Sequence, residues 1–148
     1  MVLIVPSLVT ERIESVKAGV IGAGAFAIAE LIMVIVKGSV IILLPGLTFT
    51  TSLFNGIWLV QLAIGAISGF LFGVTYRYVI RDDHNSHLSD GAVLAFGLVR
   101  GLALVEKSLT LSELLSLGTL VIQSIICFAI ARSIIDLAIA RKLIKPFV

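Results

Sequence analysis

Cysteine occurs once in this chain, at Cys127, so no disulfide can close within it and the redox compartment is left unspecified. There are two histidines, His84 and His87, and both fall in one short polar segment. No apolar run therefore contains a histidine, which argues against a pigment held by imidazole inside a membrane span. Charged residues make up only 14% of the chain, and the net charge of +2 is too small to imply a nucleic-acid partner. Acidic residues are missing from 31–81 and charged residues of either sign from 38–76. No HExxH pattern, nucleophile elbow or intramembrane pair of histidines or aspartates is present to divide acid and base roles. An enzyme is not expected, and neither is a metal or another cofactor.

What is there is apolar. Hydrophobic residues account for 59% of the 148 positions, with a mean hydropathy of +1.16, and no soluble domain of this size requires so much apolar surface. The sequence predicts an all-α membrane protein: one small bundle of four transmembrane helices at about 18–36, 56–78, 89–107 and 113–132. A short interfacial or re-entrant segment is expected near 39–46, because Pro45 and Gly46 divide a charge-free run too long for one span and too short for two with a loop.

Residues 1–5 are apolar but lack the basic leader and cleavage pattern of a signal peptide, and are expected at the interface. Pro6 and Ser7 read as a helix entry. Leu8, Arg12, Ile13, Val16 and Lys17 then form a short amphipathic approach to the first span. VIGAGAFA at 20–27 matches the GxGxxA form of a dinucleotide turn, but no strand precedes it and no acidic residue lies about 20 positions on. It reads as small residues that let helices approach.

Glycine spacing carries the packing information. Gly65, Gly69 and Gly73 recur at every fourth position of the second span and lay a flat strip along one face, while Gly97 and Gly101 do the same on the third. Gly19, Ala23 and Ala27 give the first helix its own small face. Trp58 at one end of the second span, with Tyr76 and Tyr78 at the other, has the separation of two aromatic belts. The polar segment 81–90 reads as a solvated loop ending in Ser89 as an N-cap. Thr110 and Glu113 form a capping box for the fourth helix, and Arg132 with Asp136 is an i, i+4 pair near its end.

Arg100 is the anomaly of the third span. A charge near the bilayer interior costs at least about 2.5–3.5 kcal/mol, so it must face other helices, water or a counter-ion. The sequence predicts Glu30 of the first helix as its partner, because each charge sits seven residues before the lysine that closes its span, Lys37 or Lys107, about 10 Å along a helix. Gln61, six residues past Asn55, falls near the same depth and is expected as a neutral hydrogen-bonding neighbour. Such a group either locks helices together or makes Glu30 a proton or cation site gated by Arg100.

Basic residues divide unequally between the two sides. Arg12, Lys17, Arg77, Arg81, Arg132, Arg141, Lys142 and Lys145 fall on one side, and Lys37 and Lys107 on the other, which predicts both termini in the cytoplasm or a stroma.

The stretch TYRYVIRDDHNSHLSDGAVLAFGLVRGL, 75–102, resembles a group of small multi-span membrane proteins of cyanobacteria and plastids. The resemblance covers roughly a fifth of the chain and implies a photosynthetic membrane, thylakoid or plasma membrane, with an accessory role there. It implies no active residues. Two functional expectations follow. The first is a non-enzymatic scaffold, assembly factor or accessory subunit of a larger membrane complex, with a membrane-protein partner besides the bilayer. The second is a small ion, proton or solute transporter acting as a homo-oligomer, motivated by Glu30, Arg100, Gln61 and Gln123 within spans.

Overall fold

A computed structural model describes residues 8–43, 56–80, 86–104 and 111–145. Within them the chain forms four helices: α1, Leu8–Leu43; α2, Gly56–Val79; α3, Ser86–Ala103; and α4, Leu111–Ala140. Three of them are long and apolar enough to cross a membrane, over Leu8–Val40, Trp58–Val79 and Leu117–Ala140, which marks a multi-pass protein. The described part of α3 falls short of that standard, since it opens on the polar turn of Ser86 to Asp90 and contains Arg100.

The largest departure from expectation is α1. The amphipathic approach, the first span and residues 39–43 of the expected re-entrant segment are one continuous helix of 36 residues. The physical reason is that nothing in 8–43 breaks a helix: no proline occurs there, and Gly38 alone costs only about 1 kcal/mol. Ser39 folds its hydroxyl back onto the Ile35 carbonyl, 3.0 Å away, and so continues the helix. Residues 44–46 lie outside the described residues. At about 54 Å, α1 exceeds the ~30 Å hydrocarbon layer and extends beyond it.

Smaller differences concern the ends of α3 and α4. Residues 86–90 of the expected polar loop are the first turn of α3, so Ser89 is a buried helical residue and not its N-cap. Thr110 of the expected capping box lies outside the described residues, as do His84, Asp82 and Asp83. Helix α4 starts at Leu111 and continues to Ala140, past the expected end at 132.

Contacts fix the topology. Ser15 near the start of α1 meets Tyr78 at the end of α2, Gly97 and Gly101 of α3 face Ile125 and Val121 of α4, and Lys37 of α1 meets Gln123 of α4. These pairs run antiparallel, giving an up-down-up-down bundle. Helix α1 packs most extensively on α2 and α3 on α4, whereas the backbones of α1 and α3 nowhere approach closely among the described residues.

The centre of the bundle is aromatic, with one phenylalanine from each helix. Phe128 lies 4.7 Å from Phe26, 5.1 Å from Phe72 and 5.7 Å from Phe96, measured between ring centroids. Phe72 meets Phe96 edge-on at 5.4 Å and stacks on Tyr76 at 5.2 Å. Outside, long aliphatic side chains such as Ile35, Ile67 and Val99 are exposed, while Arg77 and Arg100 are buried. An exterior more apolar than parts of the interior fits hydrocarbon as the surrounding solvent.

The glycine strips join helices within this chain. A Cβ on Gly69 would lie 2.6 Å from the Phe26 Cβ and 2.7 Å from the Gly22 carbonyl oxygen, and one on Gly73 would strike the Ala18 carbonyl. On the other pair, a Cβ on Gly97 would lie 2.9 Å from the Ile125 Cα and one on Gly101 2.5 Å from the Val121 Cα. The α1 side of the first contact includes Gly19 and Ala23 of the face read from the sequence, joined by Ala18 and Gly22 in place of Ala27.

Candidate functional site: charged layers around an aromatic centre

Arg100 is 7% exposed and reaches diagonally across the bundle to Glu30. Its Nη2 donates to both carboxylate oxygens, at 3.1 and 3.2 Å, and lies 3.4 Å from the main-chain carbonyl of Gln61. The guanidinium carbon stands 4.9 Å from the centroid of Phe26, so the cation rests on an aromatic face as well as on its counter-ion. The pair and the depth of Gln61 are those expected, but Gln61 takes part through its backbone while its side-chain-bearing residue is exposed.

Gly65 has a different task from the rest of its strip. A Cβ there would lie 2.5 Å from Glu30 Oε2 and 2.9 Å from Arg100 Nη2, so the missing side chain is the space the ion pair occupies. Two turns further along α1, Lys37 donates to the Gln123 side-chain oxygen on α4. Glu30, Arg100, the Gln61 carbonyl, Lys37 and Gln123 thus form a polar layer on one side of the four phenylalanines.

A second layer lies on the opposite side of the rings. Tyr76 donates to Asp136 Oδ1 at 2.8 Å and accepts from Arg132 Nε at 3.1 Å. Arg132 also pairs with Asp90 of α3 and sits 3.5 Å from Asp136, the i, i+4 partner expected from the sequence. Tyr76 is buried, so the expected aromatic belt is carried at this end by Tyr78 alone.

Beyond it lies a third layer, centred on Arg77, whose exposure is zero. Its Nε donates to the Lys145 carbonyl at 2.9 Å, its Nη1 to the Glu11 carbonyl at 3.1 Å and to Ser15 Oγ at 2.7 Å, and its Nη2 pairs with the Glu11 carboxylate. Glu14 completes the layer, accepting from Lys17 Nζ at 2.8 Å and from the Lys145 amide at 3.0 Å. Arg77, counted from the sequence among the basic residues of one side, is interior, and Glu11 of α1 neutralises it. The signal was present, because Arg77 stands four residues after Gly73 and so continues the strip that faces α1.

Each buried guanidinium has a carboxylate, Glu30 for Arg100 and Glu11 for Arg77, and the partly exposed Arg132 has Asp90 and Asp136. Pairs matched in this way hold helices in register, and in the first layer Lys37 meets the Gln123 amide oxygen in place of a carboxylate. Among the described residues no group of three or more histidine, cysteine, aspartate or glutamate side chains is placed to bind a metal. Cys127 is buried beside Phe128, and Ser124 Oγ is buried with no hydrogen-bond partner among the described residues. No protein-family model matches the chain, and no curated protein or solved structure matches it either.

Proposed function

We propose that this chain is a non-enzymatic membrane scaffold: an accessory subunit or assembly factor that binds a larger complex through its lipid-exposed faces. The observation that carries this reading is the pairing of the bundle's arginines with carboxylates. Arg100, Arg132 and Arg77 each meet a carboxylate within the bundle, and the four phenylalanines fill the space between the layers. The glycine strips are used inside the monomer, which leaves aliphatic surfaces on α1, α2 and α4 for contact with lipid or with other helices.

In this reading α3 is a fourth span, running antiparallel to α4 with Arg100 shielded from lipid by Glu30 and Phe26. Both termini face the cytoplasm or a stroma, a placement supported by the exposed cations Arg12, Lys17, Arg141, Lys142 and Lys145 at one end. The likeness of segment 75–102 to proteins of cyanobacteria and plastids supports a photosynthetic membrane as the setting.

Purification in a mild detergent tests the proposal. A tagged chain that retains a defined set of other membrane proteins, in fixed ratio, supports the scaffold. A uniform homo-oligomer without other subunits contradicts it and favours the transporter, for which the Glu30 layer would be the ion site.

A further inference from the structure

Between the first turns of α1 and the hook formed by residues 141–145 after α4 runs an open groove of about 460 Å³. Its walls are Ile13, Val16, Val20 and Ile21 of α1 and Leu143 of the hook, and two cations, Arg12 and Lys17, border it. Along α1 the two cations alternate with the apolar residues, Arg12 before Ile13 and Val16, and Lys17 before Val20 and Ile21. Arg12 lies at one end and Val20 about 12 Å deeper along α1, in the run that enters the membrane. We infer that this groove binds one anionic phospholipid, its phosphate between Arg12 and Lys17 and an acyl chain along Val16, Val20 and Ile21.

Charge complementarity selects this occupant. Arg12 makes no ion pair among the described residues, so its guanidinium is available to a phosphate. Two acidic residues, Glu11 and Glu14, lie on this part of the helix, and both are engaged: Glu11 pairs with Arg77, and Glu14 accepts from Lys17 at Oε1 and from the Lys145 amide at Oε2. Lys17 is half-exposed and has donors remaining after that bond. Lys142, next to Leu143 in the chain, adds a further exposed cation. A groove needing only hydrocarbon would not be bordered by two cations, and a site for a soluble anion would not require an apolar wall of five side chains.

The test is native mass spectrometry of the intact chain in mild detergent, titrated with dioleoyl-phosphatidylglycerol or with zwitterionic dioleoyl-phosphatidylcholine. One phosphatidylglycerol is expected to bind in preference to phosphatidylcholine. The double variant Arg12→Gln/Lys17→Gln should weaken that binding by about 30-fold, two charges each acting near an anionic headgroup. Val16→Trp, which fills the apolar wall, should weaken it too, whereas Arg141→Gln, an exposed cation outside the groove, should leave it within about twofold. Should the double variant fail to fold, the single exposed change Arg12→Gln carries the same test. Equal retention of the two lipids, unchanged binding by the Arg12 variants, an equal loss from Arg141→Gln, or displacement of the lipid by glycerol 3-phosphate would each overturn the inference.

Discussion

Arg77 Nε donates to the carbonyl of Lys145 at 2.9 Å, so an arginine at the end of α2 fastens the hook after α4 beneath the bundle. The same guanidinium holds α1 through the Glu11 carbonyl, the Glu11 carboxylate and Ser15, and thereby joins three segments far apart in sequence.

Replacing Arg77 should therefore be severe. Arg77→Gln leaves Glu11 and the Lys145 carbonyl without their shared donor and is expected to cost about 3–5 kcal/mol. Arg77→Lys keeps the charge but loses the planar fork that meets three partners at once, so it should recover less than half of that loss. Thermal unfolding in detergent measures both. Parent-like stability of Arg77→Lys would show that charge alone is what this layer requires.

The glycines predict opposite outcomes on the same helix pair. Gly69→Ala forces a methyl against the Phe26 Cβ and the Gly22 carbonyl and should lower stability and accumulation. Gly24→Ala, where a Cβ meets nothing within 4 Å, should be neutral or stabilising by up to about 1 kcal/mol. Gly65→Ala should act on the ion pair, pushing Glu30 from Arg100, and its cost should shrink in a Glu30→Gln/Arg100→Gln background. A Gly24→Ala variant as damaging as Gly69→Ala would mean that α1 packs on that face as well.

The end of α4 offers a test confined to backbone conformation. Lys142 has a positive φ of 58°, and the bonds from the Lys142 amide to Ile139 and from the Leu143 amide to Ala138, each 2.9 Å, form a Schellman motif that favours glycine at that position. Lys142→Gly should raise the unfolding midpoint, by up to about 1 kcal/mol in stability, and Lys142→Val, β-branched at positive φ, should lower it. The two variants together separate conformation from loss of the lysine charge, since both remove it.

Apolar runs and glycine spacing were legible in the sequence because each depends on residues close together in the chain. The depth match of Glu30 and Arg100 was legible for a related reason, since both are measured from a lysine seven residues away. Three features were not. The helix through 39–43 was hidden by Pro45 and Gly46, which bear on where a helix ends and not on whether the segment before them is separate. The partners of Arg77, and Tyr76 and Asp90 for Arg132, lie 42 to 68 residues away in the chain, where local spacing carries no information. Tyr76 and Tyr78 look alike as belt residues, yet they point about 160° apart on a helix, so one enters the core when the other faces outward.

The charge cycle at Glu30 and Arg100 tests most directly whether the buried charges hold the bundle together. Accumulation in membranes and retention of copurifying partners are to be compared for Glu30→Gln, Arg100→Gln and the double variant. Each single change leaves a buried charge without its counter-ion, about 3–5 kcal/mol, whereas the double change leaves none. Both singles are expected to accumulate poorly, and the double variant to regain both accumulation and partners. Single variants that accumulate like the parent, or a double variant that accumulates but has lost its partners, would contradict that role of the buried charges.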